Sequence, residues 1–431
     1  MKHQLLQATL LLTATISLLA CKKDHEDMAQ PATLMIENVL AAKPLVQSGT
    51  FMGPGTPPVI LPGQSASITF SAAKNQRLSF ATMYGWSNDL FFAPANPGIR
   101  LYNDDGSPIT GDVSAQVKLW DNGTRLNQAP GMKVTHPGTA EATPKNIKEV
   151  NGLDDYGNTY LAASQLMQLT LAYNGNSMFT LTISNHSGGT ANETPFSPGV
   201  WAISYVAGQD LLLPTPVYAS NQPSANGLTD IAERGDNMML SSYLTAQTGI
   251  FTPLSPVLVV VYKGDNNPFY QPGEKDRGEG LKELAQKGNA DILAASLQQK
   301  MGVQQVYVLK AASTTVLLPR IGENAGGKVS QSLMLHTGDR IAIATMYGFS
   351  NDWFFATTGN DIAATQKGDV TSTVALFDNG TAINQFPGAG ITQFNLAGTP
   401  LSESLPIQTV PNPNAFTTLP PIAQILKVTL Q

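Results

Sequence analysis

Ala81 to Ala93 reads ATMYGWSNDLFFA, and Ala344 to Ala356 reads ATMYGFSNDWFFA. Eleven of the thirteen positions agree, and both differences exchange one large apolar side chain for another. Further on, Gly111 to Gly131 (GDVSAQVKLWDNGTRLNQAPG) is matched by Gly368 to Gly388 (GDVTSTVALFDNGTAINQFPG). Two matched blocks in the same order mark a duplicated unit. The first pair is offset by 263 residues and the second by 257, so the segment between the blocks is six residues longer in the first copy. A surface loop absorbs such a difference.

The blocks sit in strand-like sequence. Leu78, Phe80 and Thr82 alternate onto one face, as do Ile341, Ile343 and Thr345 in the other copy. Val113, Ala115, Val117 and Leu119 do the same, and Asp121-Asn122-Gly123 then turns the chain, because Asn-Gly tolerates positive φ. With 38 glycines, 29 prolines and only 13% charged residues, the chain favours turn-rich β-structure. The expected fold is mainly β: two tandem antiparallel β-sandwiches, the second with a small helical insertion.

QLMQLTL (Gln165–Leu171) matches QILKVTL (Gln424–Leu430) at the end of the chain. That match places the first domain at 33–175 and the second at 176–431. The second restarts with FTLTISN (Phe179–Asn185), as the first does with TLMIENV at Thr33. Its extra length holds a smaller repeat, GLTDIAERG from Gly227 and GLKELAQKG from Gly280. Leu228, Ile231 and Ala232, like Leu281, Leu284 and Ala285, have helical spacing, which puts the insertion at about 207–305.

Residues 1–21 read as an export signal, with Lys2 ahead of the mostly apolar stretch Leu5–Ala20, too short for a stable span. The stretch ends Leu18-Leu19-Ala20-Cys21, which resembles the lipobox of bacterial lipoproteins. Cys21, the one cysteine of the chain, would then be the lipidated residue. Residues 22–32 form a flexible tether. The expected location is the outer membrane or cell surface, lipid-anchored. A net charge of −6 without a basic tract excludes a phosphate-binding face, so no nucleic-acid partner is expected.

Ser-Asn-Asp followed by aromatics (Ser87, Asn88, Asp89; Ser350, Asn351, Asp352) and aromatic-Asp-x-Gly-Thr (Trp120–Thr124; Phe377–Thr381) resemble motifs of the spondin domain, the N-terminal module of F-spondin and mindin that also occurs in bacterial surface proteins. The resemblance implies a β-sandwich with a binding or adhesion role toward an extracellular protein or glycan. A structural surface scaffold and a carbohydrate-active enzyme are the alternatives.

In each copy one aspartate follows Ser-Asn (Asp89, Asp352) and another closes a strand (Asp121, Asp378). If the two strands are neighbours, the carboxylates converge, and Ca²⁺ is the oxygen-seeking cation that would relieve them. The resemblance implies the same metal, with a third acid four residues after the second aspartate. That position holds Arg125 in one copy and Ala382 in the other. Arg125 could set its guanidinium where the cation would sit. The competing expectation is that the aspartates cap turns. Asp112 and Asp369 are expected at strand starts. The aromatics Trp86, Phe91, Phe92, Trp120, Phe349, Trp353, Phe354, Phe355 and Phe377 are expected mainly in the core. The chain lacks a phosphate loop, a nucleophile elbow and a His-Glu-x-x-His sequence, so no catalytic residues are assigned.

Overall fold

The computed structural model describes residues 28–359, 361–393, 396 and 398–431. The export segment 1–21 with Cys21, and tether residues 22–27, lie outside the described residues. In chain order the main strands are β1 (Gln30–Asn38), β2 (Leu45–Phe51), β3 (Ser65–Ser71), β4 (Arg77–Met83), β5 (Leu90–Pro94), β6 (Val117–Asp121), β7 (Met167–Gly175), β8 (Met178–Asn185) and β9 (Gly199–Ser204). Helices α1 (Leu228–Arg234) and α2 (Met238–Gln247) follow. Then come β10 (Val257–Tyr262), α3 (Leu281–Lys287), α4 (Asp291–Leu297), β11 (Val303–Leu309), β12 (Lys328–Leu335), β13 (Arg340–Met346), β14 (Trp353–Thr357), β15 (Val374–Asp378) and β16 (Leu426–Leu430).

These strands make two copies of one arrangement. In the first, β3-β8-β7 ends on the short strand Gly111–Asp112, and β2-β9-β4-β5-β6 ends on Lys148–Glu149. In the second, β12-β1-β16 ends on Gly368–Asp369, and β11-β10-β13-β14-β15 ends on Gln408–Thr409. The strand pairings within these sheets are antiparallel. The mainly β, sandwich-type class expected from alternation and turn content is therefore the fold.

The assignment of strands to modules differs from the sequence expectation. β1, expected to open the first module at Thr33, pairs with β12 and β16 of the second, from Gln30↔Leu335 to Asn38↔Leu426, and its first three residues, expected in the tether 22–32, are strand. β8, expected to open the second, lies in the first between β7 and β3. The cut near residue 175 therefore falls inside a hairpin. The reason is local: only Asn176 and Ser177, both at positive φ (51° and 62°), link Gly175 to its partner Met178. So short a turn forces β8 back onto β7. The slot that β8 leaves in the second module is filled by β1, which carries the same inward residues: Leu34, Ile36 and Asn38 against Leu181, Ile183 and Asn185, all of them buried.

The helices are likewise shared out. The expectation placed both helical pairs in the second module, but α1 and α2 pack on β4 and β2 while α3 and α4 pack on β13 and β11. The larger sheet of each module therefore has two apolar faces. Under α1 lie Ala81, Ala93, Val200 and Ala202; under α3 lie Ala342, Ala344, Ala356 and Val260. Small side chains on the helix side let a helix approach a sheet whose other face, with Phe80 and Ile343, fills the sandwich interior. The stripe Leu228, Ile231, Ala232 and its repeat Leu281, Leu284, Ala285 are buried as their spacing implied.

Candidate functional site

Asp89 precedes β5 by one residue, and Asp121 ends the adjacent β6, with Leu90 opposite Asp121. Asp352 precedes β14, and Asp378 ends β15, with Trp353 opposite Asp378. Each module thus brings its two aspartates together at one end of two neighbouring strands. All four are buried, Asp89 and Asp352 completely.

Their hydrogen bonds are the same twice over. Oδ2 of Asp89 accepts from the N–H of Thr124 (2.7 Å), its hydroxyl (3.0 Å) and the N–H of Arg125 (2.8 Å). Oδ2 of Asp352 accepts from the N–H of Thr381 (2.7 Å), its hydroxyl (2.9 Å) and the N–H of Ala382 (2.9 Å). Asp121 accepts from the N–H of Gly123 (2.7 Å) and from Nδ2 of Asn127 (2.7 Å). Asp378 accepts from the N–H of Gly380 (2.8 Å) and from Nδ2 of Asn384 (2.5 Å). One aspartate of each pair forms the Asx-turn at Asn-Gly, and the other clamps the following Thr across the strand gap.

This leaves one oxygen of each clamp over. Oδ1 of Asp89 and Oδ1 of Asp352 are buried and accept no hydrogen bond within the described residues. The same holds for Oδ1 of Asn122, Asn127 and Asn379 beside them. Burial pushes the carboxyls of Asp89, Asp121 and Asp352 up. Asp121 reaches about 7 through burial and the charge of Asp89, and Asp352 reaches about 7 through burial and the charge of Asp378. Asp89 is raised too, by burial first and by Glu233 last, against the bonds it accepts.

Glu233 was not legible in the blocks, because it lies on α1. It is nearly fully buried, accepts from the Thr124 hydroxyl (2.8 Å) and pairs with Arg125 at 2.7 Å. The guanidinium of Arg125 therefore turns to Glu233 and not into the aspartate pair, contrary to the Asp–Arg pairing considered from sequence. In the second module the corresponding helix residue is Gln286, whose Nε2 donates to the Thr381 hydroxyl (2.9 Å), and Arg125 is replaced by Ala382. An acid–base pair in one copy is matched by a neutral pair in the other, so the exchange leaves the net charge of these two positions unchanged.

The neighbours expected at the margins are accounted for. Asp112 and Asp369 precede one-turn helices; the hydroxyl of Ser114 or Thr371 first, and then its N–H (2.8 and 2.9 Å), hold the two carboxyls below the usual range. Glu283 and Asp291 lie in the first turns of α3 and α4, where negative charge suits the helix dipole. Of the nine block aromatics, eight are buried and Trp86 is half-buried. Trp86 lines a hollow of about 750 Å³ that also touches Met132, His136 and Glu233.

For Ca²⁺ the available donors are all oxygens, as that ion requires, but few of them are charged. Among the described residues no group of three or more His, Cys, Asp or Glu is placed to hold a metal. The unpaired oxygens of Asp89, Asn122 and Asn127, and of Asp352 and Asn379, are the atoms that could turn to a cation. Among the described residues, no helix is long and apolar enough to cross a membrane. Comparison with family models gives no match, and comparison with curated proteins gives none.

Proposed function

We propose that this chain is an exported, lipid-anchored, non-catalytic binding protein of the outer membrane or cell surface, built from two spondin-like modules that attach to an extracellular protein or glycan. The observation that carries this reading is how the repeated aspartates are used. Their oxygens are turned inward to hold the turns after β6 and β15, while the first module opens a hollow beside them with a half-buried tryptophan at its wall. Carboxyl pairs committed to backbone N–H groups set loops in place; they do not face a substrate cleft. The motifs quoted above and the Leu-Leu-Ala-Cys21 sequence supply the spondin and lipoprotein parts of the proposal.

The test is display of the soluble chain, begun after Cys21, on arrays of extracellular proteins and glycans. Saturable binding to a defined partner is expected. A folded chain that binds neither array would leave the surface-scaffold reading, and hydrolysis of chromogenic glycosides would establish an enzyme.

Calcium is the one cofactor this reading would add. It would be held by Asp89 and Asp121 with the amide oxygens of Asn122 and Asn127, and by Asp352 and Asp378 with that of Asn379. Its charge would replace the proton that burial otherwise imposes on each pair. Calorimetric titration with Ca²⁺ should give heat that D352N lowers and D89N/D352N abolishes; absence of heat in the parent chain would remove the ion.

A further inference from the structure

The two modules carry the same aromatic seat, and the chain itself fills one of them. In the second module the seat is Phe349, whose N–H meets the Thr252 hydroxyl (3.3 Å) and whose carbonyl accepts from Gly388 (2.8 Å). In the first it is Trp86, whose N–H donates to the Thr194 hydroxyl (2.8 Å) and whose carbonyl accepts from Gly131 (3.1 Å). Phe349 is covered by Tyr205, the residue that follows β9 of the first module. The rings stack 5.9 Å apart at 21°, with Phe251 5.3 Å from Phe349 on another side. Gly388 is part of the cradle: a Cβ there would lie 2.1 Å from the Tyr205 ring. Tyr205 is 1% exposed in this position.

At Trp86 the cradle is kept, and among the described residues no aromatic ring stacks on it as Tyr205 stacks on Phe349. A Cβ on Gly131 would meet nothing within 4 Å, and Trp86 stays half-buried where Phe349 is 4% exposed. The neighbouring hollow is lined by Pro58, Pro195, Pro198, Met83, Met132 and His136. Proline walls need no ordering on binding, and methionine adapts to a ring edge. Glu193 stands at the sequence place of Phe251, and its carboxylate accepts from the N–H of Gly189 (2.7 Å), so this copy has no third ring at that position.

We propose that the Trp86–Gly131 seat of the first module docks a tyrosine side chain of an extended segment of the extracellular partner protein, as Tyr205 docks on Phe349–Gly388. The occupied copy defines the guest: a flat ring with a polar tip, stacked on the seat aromatic and entering over a glycine. The counterpart of Tyr205 in the second module is Lys263, so a second copy of this chain does not present the same guest from the same position.

This inference rests on the binding reading above and narrows its partner to protein. The soluble chain is titrated with N-acetyl-tyrosinamide while the indole N–H resonances are followed by NMR, with N-acetyl-leucinamide and methyl glycosides as comparison probes. Trp120, Trp201 and Trp353 are buried, so the response should be confined to Trp86. Met132, which is 78% exposed, can be changed to Arg without touching the core, and M132R should weaken binding roughly tenfold, the worth of one good aromatic-edge contact. W86A should abolish it. A response to leucinamide or glycosides as large as to tyrosinamide, or no response in the folded parent chain, would overturn the seat. An array partner bound equally well by parent and W86A would overturn the seat while leaving the binding reading standing. Tyrosinamide binding at Trp86 with no array partner would do the reverse.

Discussion

Asn38 and Asn185 make the same pair of hydrogen bonds in different modules. Nδ2 of Asn185 donates to the carbonyls of Ile60 (2.8 Å) and Thr194 (2.8 Å), and Nδ2 of Asn38 donates to those of Leu317 (2.9 Å) and Thr252 (3.0 Å). Both side chains are completely buried. Each asparagine ties the end of its strand to two loops of the module it has joined, so β1 is locked into the second module by the bonds that lock β8 into the first.

Truncation tests that exchange. Starting the chain at residue 42 removes β1 and leaves β12 and β16 without their common neighbour. Hydrogen exchange should then lose protection across β12 to β16 while β3, β7 and β8 keep theirs. Loss confined to the first module would mean that β1 belongs there.

Asn38→Leu should unfold the second module first and Asn185→Leu the first. Either change deletes two buried hydrogen bonds; the carbonyls of Ile60, Leu317 and Thr194 keep a second donor in Phe196, Leu254 and Ser187, so the cost is about 1–3 kcal/mol, the net worth of two such bonds. Differential scanning calorimetry would show a transition moved down by several degrees, and an unmoved thermogram for both variants would refute the assignment.

The carboxyl pairs make stability depend on pH with a defined sign. Asp121 and Asp352 are pushed up to about 7 from 3.8, so the folded chain holds protons that the unfolded chain has released. The stabilisation is complete below the unfolded value and is lost as pH climbs toward 7. In chelator the protein should melt higher near pH 5 than near pH 8, and D121N/D352N should flatten the profile. A melting point that rises with pH over that interval would contradict the burial of these groups.

The Arg125–Glu233 pair is expected to be coupled. E233Q leaves a buried-side guanidinium without its partner, whereas R125A/E233Q rebuilds the neutral arrangement of Ala382 and Gln286. The double variant should be more stable than E233Q alone, because an unpaired charge costs more than a removed pair. A double-mutant cycle in urea measures this, and additive effects would show that the pair is uncoupled.

The repeated blocks made most of the carboxyl geometry legible. Asp-Asn-Gly announced the turn, and a matching Ser-Asn-Asp announced the strand beside it, so the adjacency of Asp89 to Asp121 and of Asp352 to Asp378 followed from two strands ending together. Module membership was harder to read, because Thr33–Asn38 and Thr180–Asn185 carry the same inward pattern and either could fill either slot. The deciding signal was the two-residue turn Asn176-Ser177, short enough to close a hairpin. Glu233 escaped because it acts from a helix far along the chain. The contrast between Trp86 and Phe349 escaped because it depends on Tyr205, which has no aromatic counterpart in the repeat.

The first and last described strands lie side by side: Leu34 faces Leu430, and Thr33 and Gln431 exchange backbone bonds of 2.8 and 2.9 Å. A pull applied at residue 28 would therefore be borne in shear by the ladders on both flanks of β1, all of them within the second module. A partner held at Trp86 would draw the same load on through the first module.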